Sequence, residues 1–514
     1  MDKKTYWKII ARNGYTLLIM VSFSFIAIMQ YNILPSIYAD VQNAYSLDAP
    51  VPIMIMEAFI IIIAAFVTIA WAYYIDKINR KKVMHLSILV WSIGSIICAF
   101  APAGSKAFFS IFILGRVVTA FGIGSHLPAS YSIMADIVPA KHWSTLAATL
   151  ALISSLANGI ANFIGGFLAS MNIWGLAWQF SFALIALLSV GCFILLSLAK
   201  FPSRGSSSVE ELDPELGMNM RAGLVKYDFR IKKEDLKKLW QIPTNRWLLY
   251  ASFFSVIPVA TLGSFLIYYM EISPFQTVPA AFRTEIAEIF SAMIALGYFA
   301  GVIFMGPIID KLSEKRPNIQ PKLAYWGLMV ATPLLISAFL FIVPIDYNSL
   351  GLSIDPTDTT FNIDKYVIVV SAIFEQYPSY IAYFFIAFVG SMCAGPMAIN
   401  KNPVLLEVNL PEHQGTSQSM IYLSDQLSKG ITNLIFAFQY IILNFLFEII
   451  DLKYIFMAMV LFYIPAIYFW RKISSKFTEN KANKRKIISE RTEELRSRGN
   501  VKANKKNRGI PNNE

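Results

Sequence analysis

Long apolar runs constrain this chain more than any other feature of its sequence. Twelve of them, each of roughly 18 to 28 residues, recur along almost the whole length, and about 20 such residues cross a hydrocarbon core of about 30 Å as a helix. In the first half they lie near 15–39, 53–75, 83–101, 107–134, 144–170 and 175–199. In the second they lie near 247–270, 286–309, 323–344, 377–400, 416–445 and 454–470. With 56% hydrophobic and 15% charged residues, the 514-residue chain has too little polar surface for a soluble globule. The expected fold class is therefore an all-α membrane protein. The basic head, 1–8, precedes a span too long for a signal-peptide core and without a small-residue cleavage site, so a retained first helix is expected.

The basic residues alternate between loops. They crowd the head (Lys3, Lys4, Lys8, Arg12), the 2–3 turn (Lys77, Arg80, Lys81, Lys82), the central linker, the 8–9 turn (Lys311, Lys315, Arg316, Lys322) and the tail after Arg471. The intervening loops are acidic or neutral: Asp40 and Asp48, then 171–174, then Glu271, then Asp346, Asp355, Asp358 and Asp364, then Glu448 and Asp451. This pattern predicts cytoplasmic termini and an even number of spans in the cell membrane. It also accounts for the net charge of +11 without nucleic acid as a partner.

The runs divide six and six around a polar stretch that opens Pro-Ser-Arg-Gly-Ser-Ser-Ser. Four segments are expected: a first bundle at 1–200, a linker at 201–245, a second bundle at 246–471 and a basic tail at 472–514. Within the linker, Lys232 to Trp240 can form an amphipathic helix against the membrane surface or stay solvated. The tail reads as a disordered, solvated or lipid-facing extension. Cys98, Cys192 and Cys393 all fall inside apolar runs, which gives neither a disulfide framework nor a metal site, and no cofactor is expected.

One piece of punctuation occurs twice. Asp76-Lys77, with Arg80, Lys81 and Lys82, follows the second span, and Asp310-Lys311, with Lys315 and Arg316, follows the eighth. A small residue, Ala72 or Gly306, stands four positions before each aspartate. Span four holds Gly115-Arg116-Val-Val-Thr-Ala120-Phe-Gly122-Ile-Gly124 and ends in the turn Asp136-Ile-Val-Pro139, with Trp143 beyond. Span ten ends in the similar Glu407-Val-Asn-Leu-Pro411, with His413 and Gly415 beyond, and span six opens Trp178-Gln179-Phe180.

These elements, in this order, resemble the major facilitator superfamily. Ala72, Asn79, Ala120, Trp143 and Gln179 depart from its usual residues. The resemblance implies two pseudo-symmetric six-helix bundles, a substrate site near the midplane between them and alternating access by rocking. It also implies that the turn residues Asp76, Lys77, Arg80, Lys81, Asp136, Asp310, Lys311 and Glu407 form a conformational latch, with Asp76 capping a neighbouring helix or pairing with a basic group there. Ala161-Asn162 stands where the family's drug–proton antiporters tend to carry Gly-Pro, which argues mildly against that class.

Ionisable groups in hydrocarbon are costly and so are functional candidates. Arg116 lies in span four with His126 beyond it; Asp425 and Lys429 lie i, i+4 in span eleven and can neutralise each other; Glu57 opens span two. Asn400-Lys401-Asn402 reads as the cytoplasmic end of span ten. Arg116 and Lys429, one from each half, would suit an anionic solute, with Asn158, Asn162, Asn32, Gln30, Thr261, Tyr268 and Asn433 as polar contacts. Asp425, Glu57 and His126 are the proton-coupling candidates. For His126 the competing structural role is a neutral ring bonded to a backbone carbonyl. The function expected is secondary, proton-coupled or facilitative transport of a small polar or anionic organic solute by a monomer in the bilayer. Efflux of amphipathic or lipid-like compounds and a non-transporting sensor are the alternatives. Neither a nucleophile–base pair nor a nucleotide fingerprint occurs to suggest an enzyme.

Overall fold

The computed structural model of the chain describes residues 13–47, 51–171, 178–221, 225, 227–279, 283–352, 363–446 and 452–507. The basic head, Asp48, most of 171–174, Asp355, Asp358, Glu448 and Asp451 lie outside the described residues. Among the described residues every regular element is helical. The first half holds α1 (Gly14–Asn32), α2 (Tyr38–Ala44), α3 (Val51–Lys77), α4 (Arg80–Ala99), α5 (Phe109–Ile123), α6 (His126–Ile137), α7 (Trp143–Met171) and α8 (Gln179–Leu198). The connecting stretch holds α9 (Ser206–Leu212), α10 (Pro214–Arg221) and α11 (Lys233–Gln241). The second half holds α12 (Pro243–Ile272), α13 (Arg283–Ser313), α14 (Ile319–Leu340), α15 (Ile363–Gln376), α16 (Ser379–Val408), α17 (Gln414–Leu446), α18 (Leu452–Val460) and α19 (Tyr463–Asn507).

Eleven helical stretches among the described residues are long and apolar enough to cross a membrane. The twelfth run corresponds to α17, which at 33 residues has the length but carries Asp425, Gln426, Lys429 and a series of serines and threonines. Its polarity follows from its place, because it packs along α3 of the other half. One apolar core gathers side chains from Ile19 to Ala199, and a second gathers those from Leu248 to Phe477. The halves meet where α3 lies on α17 and α13 lies on α7. Small residues permit both approaches: a Cβ on Gly430 would stand 2.8 Å from the Ile62 side chain, and one on Gly306 would stand 2.9 Å from that of Ala148.

Prolines account for several departures from the expected spans. The first helix stops at Asn32, because Pro35 opens a short 3-10 turn before α2. Span four divides into α5 and α6, since Pro128 has no N–H for the carbonyl of Gly124. The last span divides before Tyr463 in the same way, at Pro465. Span ten, expected to end near Asn400, continues as helix through Pro403 to Val408, so Lys401 lies inside it and is buried rather than at an interface. The long acidic loop contains an unexpected helix, α15.

The basic tail is the largest correction. Position 471 lies within α19, which continues from the last span to Asn507 as one helix, not as a disordered extension. Ile473, Phe477, Lys484, Ile488, Thr492 and Leu495 are buried along it, and spacings of three, four and seven keep them on one face. That face packs on the basic end of the molecule, which offsets the entropy of ordering so polar a segment. The expected amphipathic helix of the linker is α11; its Leu239 is buried while Leu236 and Trp240 are exposed.

Candidate functional site

The two Asp-Lys turns form matching caps across the junction of the halves. Asp76, at the end of α3, accepts hydrogen bonds from the backbone N–H groups of Gly415 (3.1 Å) and Thr416 (2.6 Å) and from Thr416 Oγ1 (2.8 Å). These donors open α17, so a carboxylate of the first half caps a helix of the second. Asp310, at the end of α13, accepts from the N–H groups of Ser144 (3.0 Å) and Thr145 (2.8 Å) and from Thr145 Oγ1 (2.5 Å), at the start of α7. Both aspartates are buried. Gly415 is required by this contact, because a Cβ there would stand 2.8 Å from Asp76 Oδ1.

Around each cap lies a second pair. Arg80 donates to Asp136 at 2.7 Å, and Asp136 also accepts from the N–H of Gly205 at 2.8 Å, which ties the linker to the first half. Arg204 reaches back from the linker to the carbonyls of Ile75 (2.7 Å) and Asp76 at the end of α3. Burial, then the neighbouring Arg80, pull Arg204 down to about 10, so it remains charged at neutral pH. In the second half, Glu407 pairs with Lys481 of α19 and lies 3.3 Å from Gln320 Nε2.

A second polar cluster lies deeper, between the halves. Lys401 of α16 bonds Asp425 of α17 at 2.8 and 3.0 Å and the Ser252 hydroxyl at 3.0 Å; Ser252 also donates to Asp425. Beside Asp425 on the adjoining face of α17, Gln426 Nε2 donates to Tyr422 Oη at 2.6 Å and to Tyr31 Oη of α1 at 3.3 Å. Asn402 donates to Tyr131 of α6 at 2.5 Å. Lys429, three residues beyond Gln426, shares the face turned toward the first half and is exposed to solvent. It makes no hydrogen bond or ion pair among the described residues, and His126, Asp425 and Lys401 are its charged or titratable neighbours.

The family model of the Major Facilitator Superfamily matches residues 19–355. The chain belongs to this superfamily. Among curated relatives it is similar to the gentisate transporter of Corynebacterium glutamicum, 24% identical over 258 residues, or 48% of this chain and 50% of that one. It is also similar to multidrug resistance protein 2 of Bacillus subtilis, 24% identical over 280 residues, 52% of this chain and 60% of the other. The match thus spans about half the length of the curated relatives. The fold superposes on the crystal structure of the E. coli fucose:proton symporter with a TM-score of 0.61 at 14% identity, covering 89% of this chain and 98% of that one. The spanning helices and the family match together make it a multi-pass membrane protein of the superfamily.

Within this superfamily member, the residues singled out from sequence separate into three groups. Asp76, Arg80, Asp136, Asp310 and Glu407 come together at the basic end as described. Lys81 instead caps α8, donating to the carbonyls of Ser197 (2.6 Å) and Ala199 (3.0 Å), while Lys77 is exposed over the Tyr73 ring and Lys311 is exposed. Arg116 is buried and donates to the carbonyls of Gln30 (3.0 Å) and Tyr31 (3.4 Å) at the end of α1, so it serves the helix end rather than facing Lys429 as a free clamp. Gln30 donates to Thr119 and Asn32 to the carbonyl of Ile28.

Asp425 and Lys429 do not form the expected pair, because Lys401 reaches the carboxylate first from α16. His126 Nδ1 lies 3.0 Å from the carbonyl of Ile123, and its ring meets Tyr422 edge-on. Glu57 is half-buried near Tyr31, Asn433 is half-buried on α17, Asn158 is exposed and Thr261 is buried. The side chains of Asn162 and Tyr268 lie outside the described set. Tyr31, Ser252, Tyr422 and Gln426 escaped the sequence reading, which placed Lys401 only at the cytoplasmic end of span ten. The signal available for Lys401 was a lysine within reach of a helix that Pro403 did not end.

Proposed function

We propose that this transporter moves a small organic anion, such as a carboxylate, through a site between its halves by alternating access. The observation that carries this reading is Lys429: an exposed cation on a spanning helix, without an ion pair among the described residues, with Tyr422 and Gln426 on its face and Tyr31 of α1 bonded to Gln426. A carboxylate would supply the missing charge and accept from the phenols and the amide. A relative named for gentisate transport agrees with such a substrate.

The Lys401–Asp425 pair is the coupling element of this reading, since a proton on Asp425 would release Lys401 toward the cavity. The fucose:proton symporter lends the fold precedent for proton coupling. The basic end, closed by the two aspartate caps, faces the cytoplasm of the cell membrane, so the state described here is shut on the inside. The protein acts as a monomer in the bilayer. A second reading, efflux of amphipathic compounds, is favoured by the similarity to a multidrug resistance protein and by the aromatic side chains between the spans, including the stacked Phe265–Phe436 pair at 3.8 Å.

Uptake of labelled aromatic and aliphatic carboxylates into proteoliposomes, with and without an imposed pH gradient, tests the proposal. Carboxylate uptake with a raised KM in Lys429→Ala is expected. Accumulation only of cationic or neutral amphiphiles would refute it and favour efflux.

A further inference from the structure

The Asp-Lys turn is repeated, but its repeat is incomplete. Four residues after Asp76 stands Arg80, which pairs with Asp136 of the turn after span four; four residues after Asp310 stands Glu314, and the equivalent acid Glu407 has no arginine from its own turn. Its cation comes from elsewhere: Lys481 of α19 pairs with Glu407, and Lys484 donates to the carbonyl of Leu406.

The same helix continues across the basic end. Lys484 lies 5.2 Å over the ring of Trp143, the first residue of the helix that Asp310 caps. Arg491 pairs with Glu412, which is 2% exposed and also accepts from Tyr227 Oη at 2.9 Å; Glu412 belongs to the turn just before the helix that Asp76 caps. Leu495 is buried with Val209, Leu216, Met220 and Tyr227 of the linker, and Arg485 pairs with Glu211. The linker is in turn bonded to the first half, through Gly205 and Ser206 to Asp136 and through Ser207 to the carbonyl of Val138.

We propose that α19 beyond the membrane is a strap that holds the basic end of the transporter shut, joining the second half to the first through the linker. The proposal rests on the alternating-access reading. The halves cannot separate at this end unless α19 leaves the linker or the linker leaves Asp136. The contacts of α19 with the linker and of the linker with Asp136 bridge the halves, so separation at this end must break one set of them, and both sets favour the closed state. Glu412 has the largest effect, because a buried carboxylate deprived of Arg491 gains by reaching water, which it can do when the end opens.

The test uses spin labels at Lys82→Cys and Lys315→Cys, one in each half, in the full chain lacking its native cysteines. Distances are read in nanodiscs, with monodispersity and thermal stability as folding controls. Arg491→Glu and a truncation after residue 478, which keeps the buried Ile473 and Phe477, are each expected to raise the long-distance population on the order of tenfold. The exchange Glu412→Arg with Arg491→Glu is expected to restore the short distance. If folded Arg491→Glu and truncated protein keep the short distance while Asp76→Ala lengthens it, the strap is refuted and the latch stands. If Asp76→Ala also leaves the distance unchanged, both the strap and the alternating-access reading of this end fail.

Discussion

Replacing Asp76 with alanine removes three hydrogen bonds that join the halves: two from the backbone of Gly415 and Thr416 and one from the Thr416 hydroxyl. Each bond to a charged acceptor contributes about 1.5 kcal/mol or more, but burying the carboxylate offsets much of this. Helix caps of this kind, with the dipole in their favour, retain about 2 kcal/mol. The donors find water once the end opens, so the loss falls almost wholly on the closed state. A loss of about 2 kcal/mol shifts the open-to-closed ratio about thirtyfold, at about 1.4 kcal/mol per tenfold. The assay is the distance between labels at Lys82→Cys and Lys315→Cys, together with exchange transport. Gly415→Ala, whose Cβ would stand 2.8 Å from Asp76 Oδ1, should act in the same direction without altering charge. A short distance retained in both variants, with folded protein, would refute the cap as an inter-bundle latch.

Lys429→Ala should raise the KM for an anionic substrate on the order of tenfold while leaving stability within about 0.5 kcal/mol, because no ion pair is lost; an unchanged KM would remove Lys429 from the site. Lys401→Ala should destabilise the protein by about 3 kcal/mol in a chemical melt, whereas Lys401→Gln with Asp425→Asn should recover most of that stability but not proton-driven uptake. At the crossing of α13 and α16, a Cβ on Gly301 would stand 2.1 Å from the carbonyl oxygen of Met392, so Gly301→Ala should cost about 1–3 kcal/mol; Gly159→Ala, which meets nothing within 4 Å, should be neutral or stabilising in the same melt. Burial acts to raise Asp235 of α11, but the hydrogen bonds from Lys238 and the Lys232 N–H, with His413 nearby, hold it at about 2. A depressed carboxylate stabilises α11 above its ordinary value of about 4 and loses that contribution as pH falls toward about 2. Trp240 fluorescence should report this step, and Asp235→Asn should lack it.

The apolar runs were legible because a helix in lipid needs only length and apolarity, and apart from the first, fourth, tenth and twelfth the runs needed only small changes at their ends. Asp76 and Asp310 were legible as a pair because duplication leaves a repeat that can be aligned without knowing its contacts. The second copy carries Glu314 where the first has Arg80, yet Asp310 makes the same three bonds as Asp76, since backbone N–H donors at a helix start do not depend on the side chains around the turn. Pairings were less legible. Asp425 and Lys429 are neighbours on a helix, but an i, i+4 offset gives proximity only, and a lysine 24 residues earlier lies closer in space.

The tail marks the same boundary. Its composition predicts a disordered or solvated segment, because few of its side chains are apolar and its charges repel. Local composition cannot register that Glu407 and Glu412 wait at the basic end with no cation of their own turn, or that Leu495 finds a linker cluster to join. By itself the sequence determined what depends on distance along the chain: the spanning runs, the alternation of charge, the duplication and the superfamily. Tertiary structure alone decided what depends on distance through space: which helix each aspartate caps, which lysine Asp425 holds, and that a polar tail becomes a helix because buried carboxylates favour cations brought from more than seventy residues away.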